Sequence, residues 1–164
     1  MTDISIRHVT PDDFDWIVER HATLYAEQDG FDESFGPLVA SILAEWYPRH
    51  DPRRERGFLA ERRGDRLGTV FCVDAGDEVA KLRLFLLEPA ARGQGLGRRL
   101  LDDCLGFARD AGYRRMTLWT HESHRAACAL YAAAGFHLAS ARPVRSFGQD
   151  LVEQHWEFAL TPPE

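Results

Sequence analysis

The fold is decided by residues 79–111, VAKLRLFLLEPAARGQGLGRRLLDDCLGFARDA. An apolar strand is predicted over Val79 to Leu87, and a helix is predicted over 95–111. The helix prediction depends on apolar residues that recur about every 3.6 positions and share one face: Leu96, Leu100, Leu101, Cys104, Leu105 and Ala108. Between strand and helix lies the turn RGQGLG, residues 92–97. A helix start offers backbone N–H groups without internal partners and the positive end of the helix dipole, so this turn predicts a diphosphate-binding loop.

Three kinds of phosphate-binding loop compete for this turn. A P-loop requires Gly-Lys-Ser/Thr after its glycines, and residues 96–98 are Leu-Gly-Arg. A Rossmann fingerprint requires a third glycine at position 98 and an acidic residue about 20 positions on, where residues 118–119 are Leu and Trp. The third kind is the Arg/Gln-x-x-Gly-x-Gly/Ala loop of the GNAT superfamily of N-acetyltransferases. Arg92, Gly95 and Gly97 fill its three defining positions.

A second motif follows the next predicted strand. It reads HRAACALY at 124–131 and continues to Gly135-Phe136. This resembles the second GNAT motif, usually Asn-x-x-Ala-x-x-Leu-Tyr followed by Gly-Phe. The two motifs have the usual separation, and the similar region runs from about residue 79 to residue 138. The chain therefore resembles a GNAT acetyltransferase, with His124 where the family usually has asparagine.

A closer resemblance is to the acetyltransferase half of bacterial MarR–GNAT fusion proteins. The residues that carry it are Asp32 to Phe35, Phe107 to Arg109 with Gly112-Tyr113, Leu118 to Thr120, and Ser146 to Leu151 with Trp156. The sequence contains no winged-helix half that would bind DNA. We therefore expect no role in the regulation of transcription.

The rest of the chain predicts a mixed arrangement of helices and strands. Strands are predicted at 4–9, 57–61, 67–73, 116–120, 136–141 and 151–160, and helices at 10–27, 35–47 and 124–134, with Pro48 ending the second helix. No linker is apparent, so we expect a single domain over 1–164. The resemblance implies an α/β (α+β) GNAT fold. Its central sheet would be mixed and mostly antiparallel, with 6–7 strands, about four flanking helices and a splayed gap where coenzyme A binds.

Composition and charge exclude several classes of protein. The net charge of −6 argues against broad binding to nucleic acid. No apolar run is long enough to span a bilayer, and the N-terminus lacks a secretory pattern, so we expect a cytoplasmic protein. Three cysteines without Cys-x-x-Cys spacing argue against a disulfide scaffold or a zinc site. The stretch His121-Glu122-Ser123-His124 lacks the spacing of a zinc-binding helix, so no metal is expected.

The resemblance also implies acetyl-CoA as the co-substrate. Backbone groups of Leu86 and Leu87 would pair with its pantetheine arm, and Gln94 to Arg98 would hold its pyrophosphate. The full set of residues expected to contact acetyl-CoA is Leu86, Leu87, Arg92, Gly93, Gln94, Gly95, Leu96, Gly97, Arg98, His124, Ala127 and Tyr131.

The resemblance implies direct attack of an amine on the thioester. Tyr131 falls on the family tyrosine that protonates the departing thiolate, and a phenol suits that role. The general base is open: Glu33 is preferred, and Asp32, Glu122 or a chain of water molecules are the alternatives. We expect the acceptor to be a primary amine on a small molecule, an amino acid or a peptide end. Five aromatic residues are candidates to line its pocket: Phe31, Phe35, Trp46, Tyr47 and Phe147.

Two other functions stay open at this point. Two features suggest a non-catalytic acyl-CoA sensor or interaction module. His124 replaces the usual asparagine, and Lys81, Leu82 and Arg83 stand where some family members have a glutamate that acts as the general base. A nicotinamide-dependent oxidoreductase is a more distant alternative. The protein is expected to be a monomer or a homodimer.

Overall fold

The computed structural model describes residues 3–160, which form seven strands and four α-helices. The strands are β1 (Ile4–His8), β2 (Arg56–Arg62), β3 (Asp65–Asp74), β4 (Val79–Leu87), β5 (Arg115–His121), β6 (His137–Ser146) and β7 (Gln149–Ala159). The helices are α1 (Phe14–Asp29), α2 (Phe35–Arg49), α3 (Leu96–Asp110) and α4 (Arg125–Ala134). Short 3-10 turns precede α1 and α3, at Pro11–Asp13 and Pro89–Ala91. The predicted domain 1–164 extends beyond these described residues at both ends.

All seven strands form one sheet in the order β1-β2-β3-β4-β5-β7-β6. Only β4 and β5 are parallel, and every other neighbouring pair is antiparallel. The crossover between the two parallel strands is α3, because parallel strands need a long connection. The expected mixed, mostly antiparallel sheet with four helices is confirmed.

The sheet opens between β4 and β5. Their pairing covers only Val79–Lys81 against Arg115–Thr117, although β4 continues to Leu87. A bulge in β4 adds to the bend, because Leu84 has a φ of 53° and the register with β3 shifts there. A bulged strand bends and twists away from its neighbour. The outer half of β4 therefore has β3 on one side and an open gap on the other, which confirms the predicted splay.

Two hydrophobic clusters hold the helices on opposite faces of the sheet. On one face α3 buries its apolar side against β2–β5, as the spacing of its leucines predicts: Leu96, Leu100, Leu101, Cys104, Leu105 and Ala108 are all buried. On the other face α1 and α2 cover β3 through Ile17, Val39, Leu43, Phe71 and Val73. Each fully buried side chain of this size stabilises the fold by about 1.5–3 kcal/mol.

Helix α2 differs from the prediction at its end and on its buried face. It continues through Pro48 to Arg49, and the N–H of His50 still donates to the carbonyl of Trp46 at 2.9 Å. Proline in the last turn removes only its own hydrogen bond, so the helix does not stop there. Leu38, predicted on the buried face, is 42% exposed, because α2 has no neighbour on that side within residues 3–160.

Candidate functional site

The glycine loop presents a row of backbone N–H groups to one side of the molecule. Gly93 and Gly95 have φ values of 75° and 79°, a left-handed conformation that glycine adopts without strain. The N–H of Arg92 donates to Pro89 O at 3.3 Å, and the next N–H with an intramolecular acceptor is that of Arg99, at 3.1 Å from Gly95 O. Within the described part of the chain, the N–H groups of residues 93–98 therefore have no acceptor. Such a row at a helix N-terminus is an anion-binding arrangement.

Gly97 has a different role from the two glycines before it. A Cβ added there would lie 3.1 Å from Leu87 Cδ1 and 3.3 Å from Leu130 Cδ2. The absence of a side chain therefore lets the first turn of α3 pack closely against β4 and α4. This close approach fixes the distance between the N–H row and the open half of β4.

A cavity of about 520 Å³ lies beside the loop. Its walls come from the end of α1, the outer half of β4, the glycine loop and the start of α4. The residues that line it are Leu24, Tyr25, Gln28, Asp29, Phe85, Leu86, Leu87, Arg92, Gly93, Gly95, Gly97, Arg98, Ser123, His124, Arg125, Ala126, Ala127 and Leu130. The volume suits a ligand of moderate size.

Nine of the twelve residues expected to contact acetyl-CoA line this cavity. Gln94, Leu96 and Tyr131 do not. The Gln94 side chain turns away and donates to Ala90 O at 3.1 Å. The Leu96 side chain is buried in the hydrophobic cluster beneath α3, so neither residue contributes a side chain to the cavity.

Tyr131 lies on the buried face of α4, within the hydrophobic cluster that also contains the buried side of α3. Its ring is 6.2 Å from that of Phe85, which lines the cavity, and 5.7 Å from that of Phe136. Burial, with a smaller contribution from Tyr25, raises the pKa of Tyr131 well above its usual value. The phenol therefore keeps its proton at neutral pH and can act only as a donor of that proton.

The preferred base, Glu33, lies apart from the cavity. It is exposed in the loop between α1 and α2 and does not line the cavity wall. Asp32, in the same loop, accepts hydrogen bonds from the Ser34 N–H and hydroxyl. Glu122 is exposed at the end of β5. The structure therefore brings none of these three carboxylates to the cavity wall.

An aspartate–histidine pair that sequence reasoning missed does line the cavity. His124 Nε2 lies 3.0 Å from Asp29 Oδ2, and His124 Nδ1 lies 3.3 Å from the Thr120 hydroxyl. The Asp29 side chain is only 8% exposed, and it ends α1, where a carboxylate is disfavoured by the helix dipole. Its partner and the Ser123 hydroxyl, at 3.3 Å, offset that cost. No local pattern marks this pair, because 95 residues separate its members.

Tyr25 is a second residue that the sequence did not single out. It lines the cavity, and its ring stands edge-on to that of His124 with the centroids 5.1 Å apart. Burial first, and then the negative charge of Asp29, raise the pKa of Tyr25 to about 12. This phenol, like that of Tyr131, stays protonated at neutral pH.

The five candidate aromatic residues divide into two groups. Phe31, Phe35 and Phe147 pack on one another, with centroid distances between 4.8 and 5.1 Å, beside the His121 and His124 rings. The other two, Trp46 and Tyr47, contact Phe14, His50 and Phe71 instead. Only the first group lies near the cavity, because the β6–β7 turn folds onto the α1–α2 loop through a 2.9 Å hydrogen bond from Asp32 N to Phe147 O.

Residues 3–160 contain no group of three or more His, Cys, Asp or Glu side chains arranged to hold a metal ion. In the same range, no helix has both the length and the apolar character needed to cross a membrane.

Comparisons with known proteins agree with this geometry. The family model described as acetyltransferase (GNAT) family matches residues 15–136. An uncharacterised N-acetyltransferase of Methanocaldococcus jannaschii is 29% identical over 141 residues, which cover 80% of this chain and 60% of the relative. A mycothiol acetyltransferase of Amycolatopsis mediterranei is 29% identical over 160 residues, covering 82% of this chain and 53% of the relative. The chain thus spans between half and two thirds of the length of these relatives.

Solved structures show the same fold. An acetyltransferase from Salmonella typhimurium, solved with acetyl-CoA, has a TM-score of 0.82 at 20% identity, with 99% of this chain and 97% of that chain covered. A phosphinothricin acetyltransferase from Sinorhizobium meliloti, also solved with acetyl-CoA, has a TM-score of 0.81 at 21% identity, with 99% and 94% covered. Because the family model matches most of its length, this chain belongs to the acetyltransferase (GNAT) family.

Proposed function

We propose that this protein is an N-acetyltransferase. It transfers an acetyl group from acetyl-CoA to the primary amine of a small molecule, an amino acid or a peptide end. One observation carries the proposal: the row of N–H groups at residues 93–98 opens into the same cavity as the half of β4 that has no β5 partner. The protein would act as a single domain in the cytoplasm, as a monomer or homodimer. The finer resemblance to MarR–GNAT fusions remains a prediction.

The cavity offers complementary groups for two parts of coenzyme A, the pyrophosphate and the pantetheine arm. The N–H row and the Arg92 and Arg98 side chains supply positive potential for the pyrophosphate. Leu86 and Leu87 are proposed to pair with the amides of the pantetheine arm, since both line the cavity on the half of β4 that has no β5 partner, and the Leu87 carbonyl accepts a hydrogen bond from Arg92 at 3.2 Å in the structure. His124, Ala127 and the neighbouring Tyr131 complete the predicted set along α4.

Tyr131 is the proposed general acid. The amine nitrogen forms a C–N bond to the thioester carbonyl carbon, and the C–S bond breaks. The departing thiolate takes the proton of the phenol, which is protonated at neutral pH. Tyr25 offers a matched control, since it is a second protonated phenol on the cavity wall.

Two groups are proposed to accept the amine proton. Glu33 is the candidate from the sequence, and the Asp29–His124 pair is the candidate from the geometry. We favour the pair, because the bond from Nε2 to the carboxylate fixes the imidazole tautomer and leaves Nδ1, which lies 3.3 Å from the Thr120 hydroxyl, as the nitrogen that can accept a proton. Asp29 would be a positioning residue and His124 the base.

Titration calorimetry with coenzyme A, followed by a thiol-release assay on a panel of amines, tests the proposed function. We expect binding of coenzyme A and release of its thiol with at least one primary amine. Binding without release on any amine would favour the sensor or interaction module instead. Failure to bind coenzyme A at all would defeat both functions.

A further inference from the structure

Two basic side chains lie half-buried on β4 without an acidic partner among the residues that the structure describes. Lys81 and Arg83 are both partly covered, and neither forms an ion pair with a carboxylate of residues 3–160. Burial lowers the pKa of Lys81, as does the adjacent charge of Arg83, and burial lowers the pKa of Arg83. Covering two like charges without a counter-ion is costly. Their placement therefore calls for an anion from outside the chain.

The strand alternation fixes the face on which these side chains lie. Ala80 and Leu82 belong to the hydrophobic cluster beneath α3, so Lys81 and Arg83 point to the opposite face of the sheet. On that face Lys81 is paired with Thr117 of β5. The next outward residue of β5, Trp119, is 48% exposed and stacks on His155 with the ring centroids 4.4 Å apart. This half of the face is therefore open to a ligand.

Lys81 and Arg83 also stand at the apex of the gap in the sheet. The pairing of β4 with β5 ends at Lys81, and Arg83 is the last residue on that face before the bulge at Leu84. Farther along the same strand, Phe85 to Leu87 line the large cavity. An amine that reaches a thioester held in the gap from this face would pass beside both cations.

The acidic groups nearest to these cations are engaged elsewhere. Glu55 and Asp74 line a cavity of about 160 Å³ with Arg83. Glu55 accepts hydrogen bonds from the Trp46 indole at 3.2 Å and from the Asp74 N–H at 3.0 Å, and Asp74 accepts one from the Gly76 N–H at 2.8 Å. On β7, Glu157 lies 3.8 Å from Arg115, and Glu153 lies 3.1 Å from Arg142. None of these four acids forms an ion pair with Lys81 or Arg83, although the charges of Glu55 and Asp74 remain in the same small cavity as Arg83.

We propose that Lys81 and Arg83 bind a carboxylate on the acceptor, so that the substrate is an amine that also carries an acid, such as an amino acid. Arginine suits this role because its planar guanidinium meets both oxygens of a carboxylate, and lysine adds a second charge. The inference rests on the proposed acetyl transfer, and it narrows the acceptor among the classes named there.

The test uses two acceptors that differ only in whether they carry a carboxylate or an uncharged amide. L-methionine and L-methioninamide have the same amine and side chain, and acetyl transfer to each is followed by thiol release. We expect the wild type to prefer methionine. Arg83→Gln and Lys81→Met should raise the KM for methionine roughly tenfold to a hundredfold, the range for loss of hydrogen bonds to a charged group. Turnover of the amide should not change, which also shows that the variants are folded. Arg109→Gln, on the exposed side of α3, is the matched control.

The outcomes separate this inference from the proposed function. A wild type that prefers the amide, or variants that affect both acceptors equally, would overturn the carboxylate site while leaving acetyl transfer intact. If neither acceptor releases thiol, the binding of N-acetylmethionine to protein saturated with coenzyme A is measured by calorimetry. Affinity lost in Arg83→Gln but kept in Arg109→Gln supports the site. Equal affinity in both variants, or no binding by the wild type, rejects it.

Discussion

Replacing Gly95 tests whether the glycine loop requires a residue that adopts a left-handed backbone conformation without strain. Gly95 has a φ of 79°, and a Cβ built there meets no atom within 4 Å. Gly95→Ala therefore adds no clash within the protein, and its only cost is that of holding alanine in a left-handed conformation, about 1–2 kcal/mol. Asparagine tolerates this conformation better, so Gly95→Asn should cost less.

The free-energy cost of Gly95→Ala can appear in the stability of the protein or in its affinity for coenzyme A. If the loop keeps its shape, the free energy of unfolding falls by about 1–2 kcal/mol, and the melting temperature falls by roughly 2–4 °C for each kcal/mol. If the loop relaxes, the same free energy appears as a Kd for coenzyme A that rises by about 5-fold to 30-fold. Chemical denaturation and calorimetry measure the two parts. Unchanged values in both would refute the conformational reasoning, and an asparagine variant as weak as the alanine variant would indicate that any Cβ blocks the phosphate.

The other predictions concern the proposed acid, the base and the buried acid at the start of α1. Tyr131→Phe should lower kcat by about 100-fold to 10,000-fold in the thiol-release assay and leave the affinity for coenzyme A unchanged, whereas Tyr25→Phe should retain turnover. Asp29→Asn should lower kcat/KM by about tenfold or more, the effect of losing a charged hydrogen bond, and an equal or larger loss in Glu33→Gln would reverse our preference for the base. Asp13→Asn should lower the free energy of unfolding at pH 7 by roughly 1.5–3 kcal/mol, the range for hydrogen bonds to a charged group, because the Arg7 and Arg66 side chains left behind are partly exposed; denaturant titration measures this.

The pH dependence at Asp13 has a definite sign. Burial alone would raise the pKa of this fully buried carboxyl, but hydrogen bonds from Arg7, Thr10 and Arg66 outweigh burial and hold the pKa well below its usual range. A lowered pKa in the folded state gives stability that is complete above the unfolded value, about 4, and is lost as the pH falls toward the folded value. The difference in the free energy of unfolding between the wild type and Asp13→Asn should therefore decrease as the pH falls below about 4.

The parts of the fold that were predictable are those set by local pattern. The strand Val79–Leu87 and helix α3 follow from periodicity, and the loop between them follows from its glycines. The exposure of Leu38 was not predictable, because periodicity identifies an apolar face without saying whether a neighbour covers all of it. The prediction that Pro48 ends α2 was wrong, because the effect of a proline on a helix depends on how close the proline lies to the helix end.

The site was predictable where it follows the chain and not where it joins distant segments. The glycine loop and the start of α4 are continuous motifs, and they meet at one cavity. Asp29 reaches His124 only because α1 ends beside α4, a relation of packing that sequence spacing does not contain. The lack of an ion pair at Lys81 and Arg83 within residues 3–160 likewise depends on packing between distant segments.

The short pairing between β4 and β5 makes the sheet almost two sheets. Strands β1–β4 form one body and strands β5, β7 and β6 form the other, and only three residue pairs join them as a ladder. A molecule bound in the gap would act as a bridge across an internal seam. Binding of such a molecule would stabilise the two groups of strands against moving apart. A ligand that fills the gap should therefore slow backbone hydrogen exchange in the strands on both sides of it.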